Sequence, residues 1–271
     1  MKIPLFNSRY SKNILRGFRI QLNVIQALIY RELKTRISEV KFGFVGVFIE
    51  PIGVMIIFLF IFGLIRGRGS SNIPIALFLT CGIVLFTMFS DIAIRSLNAR
   101  QANLELFFYK PVKPIDTVLS RAVVESCLYA IVFIVLWIGI ALLRENFLLD
   151  NLILFVFSFL LLSITATGVG ITLMTAGHIY PFLNQVVPFL LRPMWIVSGV
   201  FFSLNNIPQG LRPYLSWNPI LQAIELSRYS ISSNYILNEA ISLPYLVAIA
   251  FGSLTFGLWI YTNNERNLLS R

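Results

Sequence analysis

Long apolar runs separated by short polar gaps organise this chain. They cover about residues 43–65, 73–89, 117–143, 152–174, 181–202 and 243–261. An α-helix of roughly 20 residues crosses a hydrocarbon core of about 30 Å, and the second run is only just long enough for that. A helix also satisfies its backbone hydrogen bonds internally, as a lipid surrounding requires. The pattern predicts an all-α, polytopic membrane protein with six transmembrane helices.

Two further segments break the rule of run and gap. Within the basic stretch 1–42, Ile20, Val24, Ala27, Leu28 and Arg31 recur at helical spacing. This predicts an N-terminal amphipathic helix over about 18–36, either lying along the membrane interface or solvated. Residues 203–241 are interrupted by Pro208, Pro213 and Pro219 yet rich in aromatic side chains. They read as short helices re-entering the outer, periplasmic side of the bilayer, with Tyr214, Trp217, Tyr229 and Tyr235 at its interface, or as a loop capping the bundle. The chain thus divides into a cytoplasmic segment 1–42, a transmembrane domain 43–262 and a cytoplasmic tail 263–271.

Composition supports lipid as the solvent. The 271 residues are 57% hydrophobic and 13% charged, against about 45–50% and 25% in soluble domains. A net charge of +10 raises the question of nucleic acid, but the basic residues are spread through the gaps and form no nucleic-acid-binding motif. With six crossings, one face gathers sixteen Lys and Arg, in the N-terminal segment, the 90–121 region and the tail. The other holds five: Arg66, Arg68, Arg144, Arg212 and Arg228. The positive-inside rule places both termini in the cytoplasm.

Charges inside apolar runs ask for partners, water or headgroups. Glu50, followed by Pro51, reads as an interfacial carboxylate or as a charge fixing the first span against Arg31, Lys34 or Arg36. Pro51 favours a helix start or kink. Arg192 lies mid-run, about ten residues from either end, and reads as lining a polar path or as an ion-paired or snorkelling side chain. Arg121 is one turn from Glu125 and Arg228 three residues from Glu225, so both are expected to pair locally. His178 is expected in a cytoplasmic turn, and Cys81 and Cys127 as buried thiols. No Walker, Gly-x-Gly-x-x-Gly, Gly-x-Ser-x-Gly or zincin pattern occurs, so the chain is expected to hold no catalytic residue and no metal. Any energy source must then bind from outside. The cytoplasmic segment with Glu105, Leu106, Phe107, Phe108, Tyr109 and Lys110 offers an apolar, charge-bordered surface for it.

Three ordered motifs resemble one family. Arg31-Glu32-Leu33-Lys34-Thr35-Arg36 followed by Ile49-Glu50-Pro51, then the stretch Phe108–Thr117, then Trp217-Asn218-Pro219 with Ile224–Arg228, are similar to membrane subunits of polysaccharide-exporting ABC transporters. The second motif is closest to the capsule-export branch, and the resemblance runs from about residue 24 to 262. It implies an inner-membrane homodimer carrying two ATPase subunits, which bind ATP and Mg in place of this chain. A coupling helix at about 98–112 would meet each ATPase. The dimer would pass an anionic or lipid-linked polysaccharide, with a periplasmic copolymerase and an outer-membrane export protein beyond it. The family often has Lys-Pro or Arg-Pro in the fifth span, as Arg192-Pro193 does here, and a Lys where His178 stands. A path lined by Arg192, Trp195, Phe201 and Phe202 would suit such a glycan. O-antigen or teichoic acid export shares the layout, and a non-transporting scaffold or channel is the reading from another class.

Overall fold

A computed structural model describes residues 8–39, 46–65, 73–109, 111–143, 149–232 and 234–269. Among them every regular element is helical. In chain order α1 spans Ser8–Glu39, α2 Gly46–Ile65, α3 Ile75–Leu97, α4 Pro114–Leu143 and α5 Leu152–Ile179. Then follow α6 (Leu183–Val197), α7 (Arg212–Ser216), α8 (Pro219–Ile231) and α9 (Leu243–Leu269). A 3-10 segment, Gln101–Phe108, joins α3 towards α4.

Local chemistry sets several of these starts. Asn151 caps α5 by accepting the Leu154 N–H at 3.0 Å, and Asn218 caps α8 by accepting that of Ile220 at 2.9 Å. Pro219 and Pro114 open their helices where a missing N–H loses nothing.

Among the described residues four helices are long and apolar enough to cross a membrane: Ile75–Leu97, Pro114–Leu142, Leu152–Ile179 and Leu243–Leu268. In its most apolar stretch α3 is 78% buried, against 17% for α9. So α3 forms the centre of the bundle and α9 its rim. Close approach of backbones needs small residues, as two examples show. A Cβ on Gly257 of α9 would meet the Gly168 carbonyl of α5 at 2.5 Å, and one on Gly82 of α3 would meet that of Val200 at 2.6 Å.

The elements depart from the sequence pattern where charge or proline dominates. Residues 90–97 belong to α3 rather than to a polar segment, because Asp91 and Arg95 find partners on neighbouring helices and do not need headgroup water. The fourth run continues as α5 to Ile179, which puts His178 in its last turn, 3.1 Å from the Asn267 carbonyl oxygen through Nε2. The fifth run holds a helix only over Leu183–Val197, with Pro188 and Pro193 inside it and Gly199 at φ 70° beyond its end. Fifteen residues reach roughly 22 Å, short of a core of about 30 Å. Pro51 does not start α2, which begins at Gly46 and runs through it. Helix α1 exceeds the expected 18–36 at both ends. Cys81 is buried, but Cys127 on α4 is exposed.

Candidate functional site

Three helices each bring an acid and a base one turn apart: Glu32 and Arg36 on α1, Asp91 and Arg95 on α3, Arg121 and Glu125 on α4. A spacing of four sets each pair on one helix face. These faces converge, and the ion pairs run between helices. Arg36 Nη2 lies 3.0 Å from Asp91 Oδ2, and its Nε 3.3 Å from Glu125 Oε1. Arg95 Nε lies 2.9 Å from the same Glu125 oxygen. Arg121, expected to pair with Glu125, instead reaches Glu32 at 3.1 Å, because two arginines from other helices already face the Glu125 carboxylate. Tyr129 donates to Asp91 Oδ2 at 2.8 Å. Three carboxylates thus meet three guanidinium groups, which lets Glu125 sit 1% exposed inside a spanning helix.

The same arrangement holds the 3-10 segment. Arg31 Nη1 donates to Asn103 Oδ1 at 2.6 Å, and Asn103 Nδ2 donates to the Ala99 carbonyl at 2.8 Å. These bonds fix the irregular backbone at Asn103, φ −130°. Beyond that anchor Leu104, Phe108 and Tyr109 are 46%, 71% and 67% exposed. Glu105 is exposed too, while Leu106 and Phe107 are half-buried, and Lys110 lies outside the described residues. The tail is tied in from the other side. Buried Arg100 donates from Nε to the Leu268 carbonyl at 2.8 Å, and Lys113 Nζ sits 2.9 Å from Glu265 Oε1. Burial pulls the Arg100 guanidinium below the ordinary arginine range.

Far along α3 from this cluster, a second buried charge occupies α8. Arg228 is 0% exposed. Its guanidinium donates to the carbonyls of Phe78 (3.3 Å), Val200 (2.8 Å) and Phe202 (3.1 Å) and to Glu225 Oε1 (3.1 Å). The other Glu225 oxygen accepts from the Tyr235 hydroxyl at 2.8 Å. Sequence reading paired Glu225 with Arg228 by spacing but missed the three carbonyls, which arrive from α3 and from the chain after α6.

The proposed path residues divide. Trp195 meets Phe86 edge-on at 5.5 Å and Phe201 at 5.7 Å, and Phe201 lies 4.2 Å from Phe58 of α2. These aromatics pack α6 and the chain after it onto α2 and α3. Phe202 is half-buried, and its carbonyl serves Arg228. Arg192 stands exposed on α6 with no hydrogen-bond or ion-pair partner among the described residues. Trp217 is 75% exposed, and its carbonyl accepts from Tyr245 at 2.7 Å. Pro51 is buried in α2; the side chain of Glu50, and Arg66, Arg68 and Arg144, lie outside what is described. The sequence signal that was missed is the recurrence of an acid and a base four apart on α1, α3 and α4. Among the described residues no group of three His, Cys, Asp or Glu side chains is placed to hold a metal ion.

Comparison with known proteins places this geometry. Residues 23–232 match the family described as ABC-2 type transporter. The chain is 37% identical over 254 residues to the polysialic acid transport protein KpsM of Escherichia coli, covering 94% of this chain and 98% of that protein. It is 25% identical over 222 residues to the capsule polysaccharide export inner-membrane protein CtrC of Neisseria meningitidis serogroup A, covering 81% and 83%. With the capsule polysaccharide export inner-membrane protein BexB of Haemophilus influenzae it shares 23% over 252 residues, 92% and 94% of the two chains.

Proposed function

This chain belongs to the ABC-2 type transporter family, and we propose that it is the inner-membrane subunit of an ATP-driven exporter of capsular polysaccharide. Two copies form the path, and two ATPase subunits dock on the cytoplasmic side, where they bind ATP and Mg. The four long apolar helices are joined in the bilayer by α2 and by α6 with the residues after it, giving six crossings and two cytoplasmic termini. The sixteen basic residues on the terminal face support that orientation. A periplasmic copolymerase and an outer-membrane export protein would take the polymer onward.

The observation that carries this reading is the 3-10 segment. It sets exposed Leu104, Phe108 and Tyr109 beside Glu105, on a turn pinned by Asn103 to α1 and to the end of α3. Apolar and aromatic side chains on a rigid, charge-bordered projection are what a partner's groove recognises. Because Asn103 links this segment to Arg31, a force on the segment reaches α1 and, through Arg36, α3 and α4. ATP-dependent closure of the ATPases would use that route to rock the bundle, through differential affinity for its two states.

Co-expression with the adjacent ATPase tests the assignment. Phe108→Ala is expected to lower the ATPase recovered with the purified chain about tenfold, the effect of losing an exposed aromatic anchor. Reversing the charge of Glu105 should weaken recovery less. Undiminished ATPase with Phe108→Ala would move the docking surface elsewhere, and export without any ATP-binding partner would favour a channel or scaffold.

A further inference from the structure

The last apolar run stops at about residue 261, yet α9 continues to Leu269. That adds roughly two turns, about 12 Å of polar helix. Within it Tyr261, Glu265 and Leu268 follow one another at spacings of four and three, which sets them on one face. Tyr261 and Leu268 are buried, in a small core with Ala99, with Val118 of α4 and with Ile171 and Met174 of α5. Asn263 and Arg266, off this face, are exposed.

Bonds from these turns reach both sides of the 3-10 segment. Ahead of it, Arg100 donates from Nε to the Leu268 carbonyl at 2.8 Å. Behind it, Lys113 Nζ lies 2.9 Å from Glu265 Oε1, which also accepts from the Tyr261 hydroxyl at 3.4 Å. In the last turn of α5, His178 meets the Asn267 carbonyl through Nε2, and a carbonyl only accepts, so Nε2 carries the proton. The last four carbonyls of a helix have no partner inside it and form the negative end of its dipole. Two of those of α9 are met by basic side chains from other elements. Its end is capped from outside, by the residue before the 3-10 segment and by α5.

We propose that the last two turns of α9 position the docking segment, so that a push on that segment moves the cytoplasmic ends of α9 and α5 with it. The inference rests on the docking reading given above. A body held at one point can pivot, whereas three attachments fix it. Asn103 supplies one, to Arg31 of α1, and Arg100 and Lys113 supply two more on either side of it. Burial of Leu268 gives most of the hold, since Lys113 and Glu265 are 52% and 30% exposed and such a pair is weak in water. Helix α9 packs chiefly on α5, so this route runs beside the one through Arg36.

Hydrogen exchange read by mass spectrometry tests the assignment on the full chain in lipid nanodiscs. Leu268→Ala should speed exchange of the amides in 99–109 about tenfold, with α8 at the other end of the bundle unchanged. Lys113→Glu, at a half-exposed position, should speed it about threefold. Adding Glu265→Lys should return the parental rate, which general loosening would not do. In cells Lys113→Glu should lower surface polysaccharide about threefold, and the double variant should restore it. Parental exchange at 99–109 in both single variants would overturn the proposal. So would full surface polysaccharide in a variant whose segment exchanges faster. The docking reading fails by a different result, undiminished ATPase with Phe108→Ala, whatever the exchange rates.

Discussion

The cluster on α1, α3 and α4 and the one around α8 both bury charge in an apolar bundle, but with different partners. Around Arg228 most acceptors are backbone carbonyls, with one carboxylate completing the set. Carbonyls move only with their backbone, so this guanidinium fixes α8, the start of α3 and the chain after α6 as one unit. Around Glu125 the partners are long side chains from three helices, 16–20% exposed for Arg36 and Arg95. Such pairs can be exchanged as helices slide, with charge still balanced in each arrangement. A fixed staple at one end of α3 and an exchangeable junction at the other suits the rocking motion proposed above for this bundle.

The largest expected effect falls on the staple. Arg228→Leu leaves Glu225 buried without its cation and the carbonyls of Val200, Phe202 and Phe78 without this donor. Breaking a buried pair from one side costs roughly 3–5 kcal/mol, so the variant should unfold at a markedly lower temperature in detergent and accumulate poorly. Arg228→Lys should recover little, since an ammonium cannot present the guanidinium fork to three separated carbonyls. A midpoint equal to that of the parent chain would show that the staple is dispensable.

The junction should respond more mildly and in a different observable. Glu125→Gln removes one of three carboxylates facing Arg36, Arg95 and Arg121, at roughly 1–3 kcal/mol. The expected result is looser α1, read as faster trypsin cleavage after Arg31 or Lys34, with modest change in global unfolding. Adding Arg95→Gln should return part of the loss, because it removes a cation facing the site. A global loss as large as that of Arg228→Leu would erase the distinction between the two regions.

How much of this was readable beforehand follows from the range of each interaction. Apolar runs of spanning length announce α3, α4, α5 and α9, because lipid sets that length directly. The local pair Glu225–Arg228 is readable because its members stand three positions apart. Glu125 was misassigned to Arg121 for the same reason in reverse. Its actual partners lie 89 and 30 positions away, and no spacing rule reaches them. Helix α3 was cut short at residue 89 because Asp91 and Arg95 look like headgroup residues until their partners are in place. The apolar patch at Glu105–Tyr109, proposed above for docking, was legible as an interruption of a polar gap. Its anchoring through Asn103 and Arg31 was not, since it needs the fold of α1 over the end of α3.

Arg192 is the smallest case for stability and the sharpest for function. Unlike the charges of either buried cluster, it is exposed on α6 and has no partner among the described residues. Arg192→Leu should therefore leave the unfolding midpoint and the recovery of ATPase unchanged, since surface changes away from packing and ion pairs move stability little. If the dimer carries its anionic polymer past this helix, the loss of a cation there should still reduce surface polysaccharide, and Arg192→Lys should restore much of it by keeping the charge. Trp195→Ala supplies the contrast, because Trp195 packs on Phe86 and Phe201 and its removal should lower stability and export together. Full surface polysaccharide with Arg192→Leu would remove Arg192 from the path, while a fall in stability would mean that a neighbouring copy pairs with it.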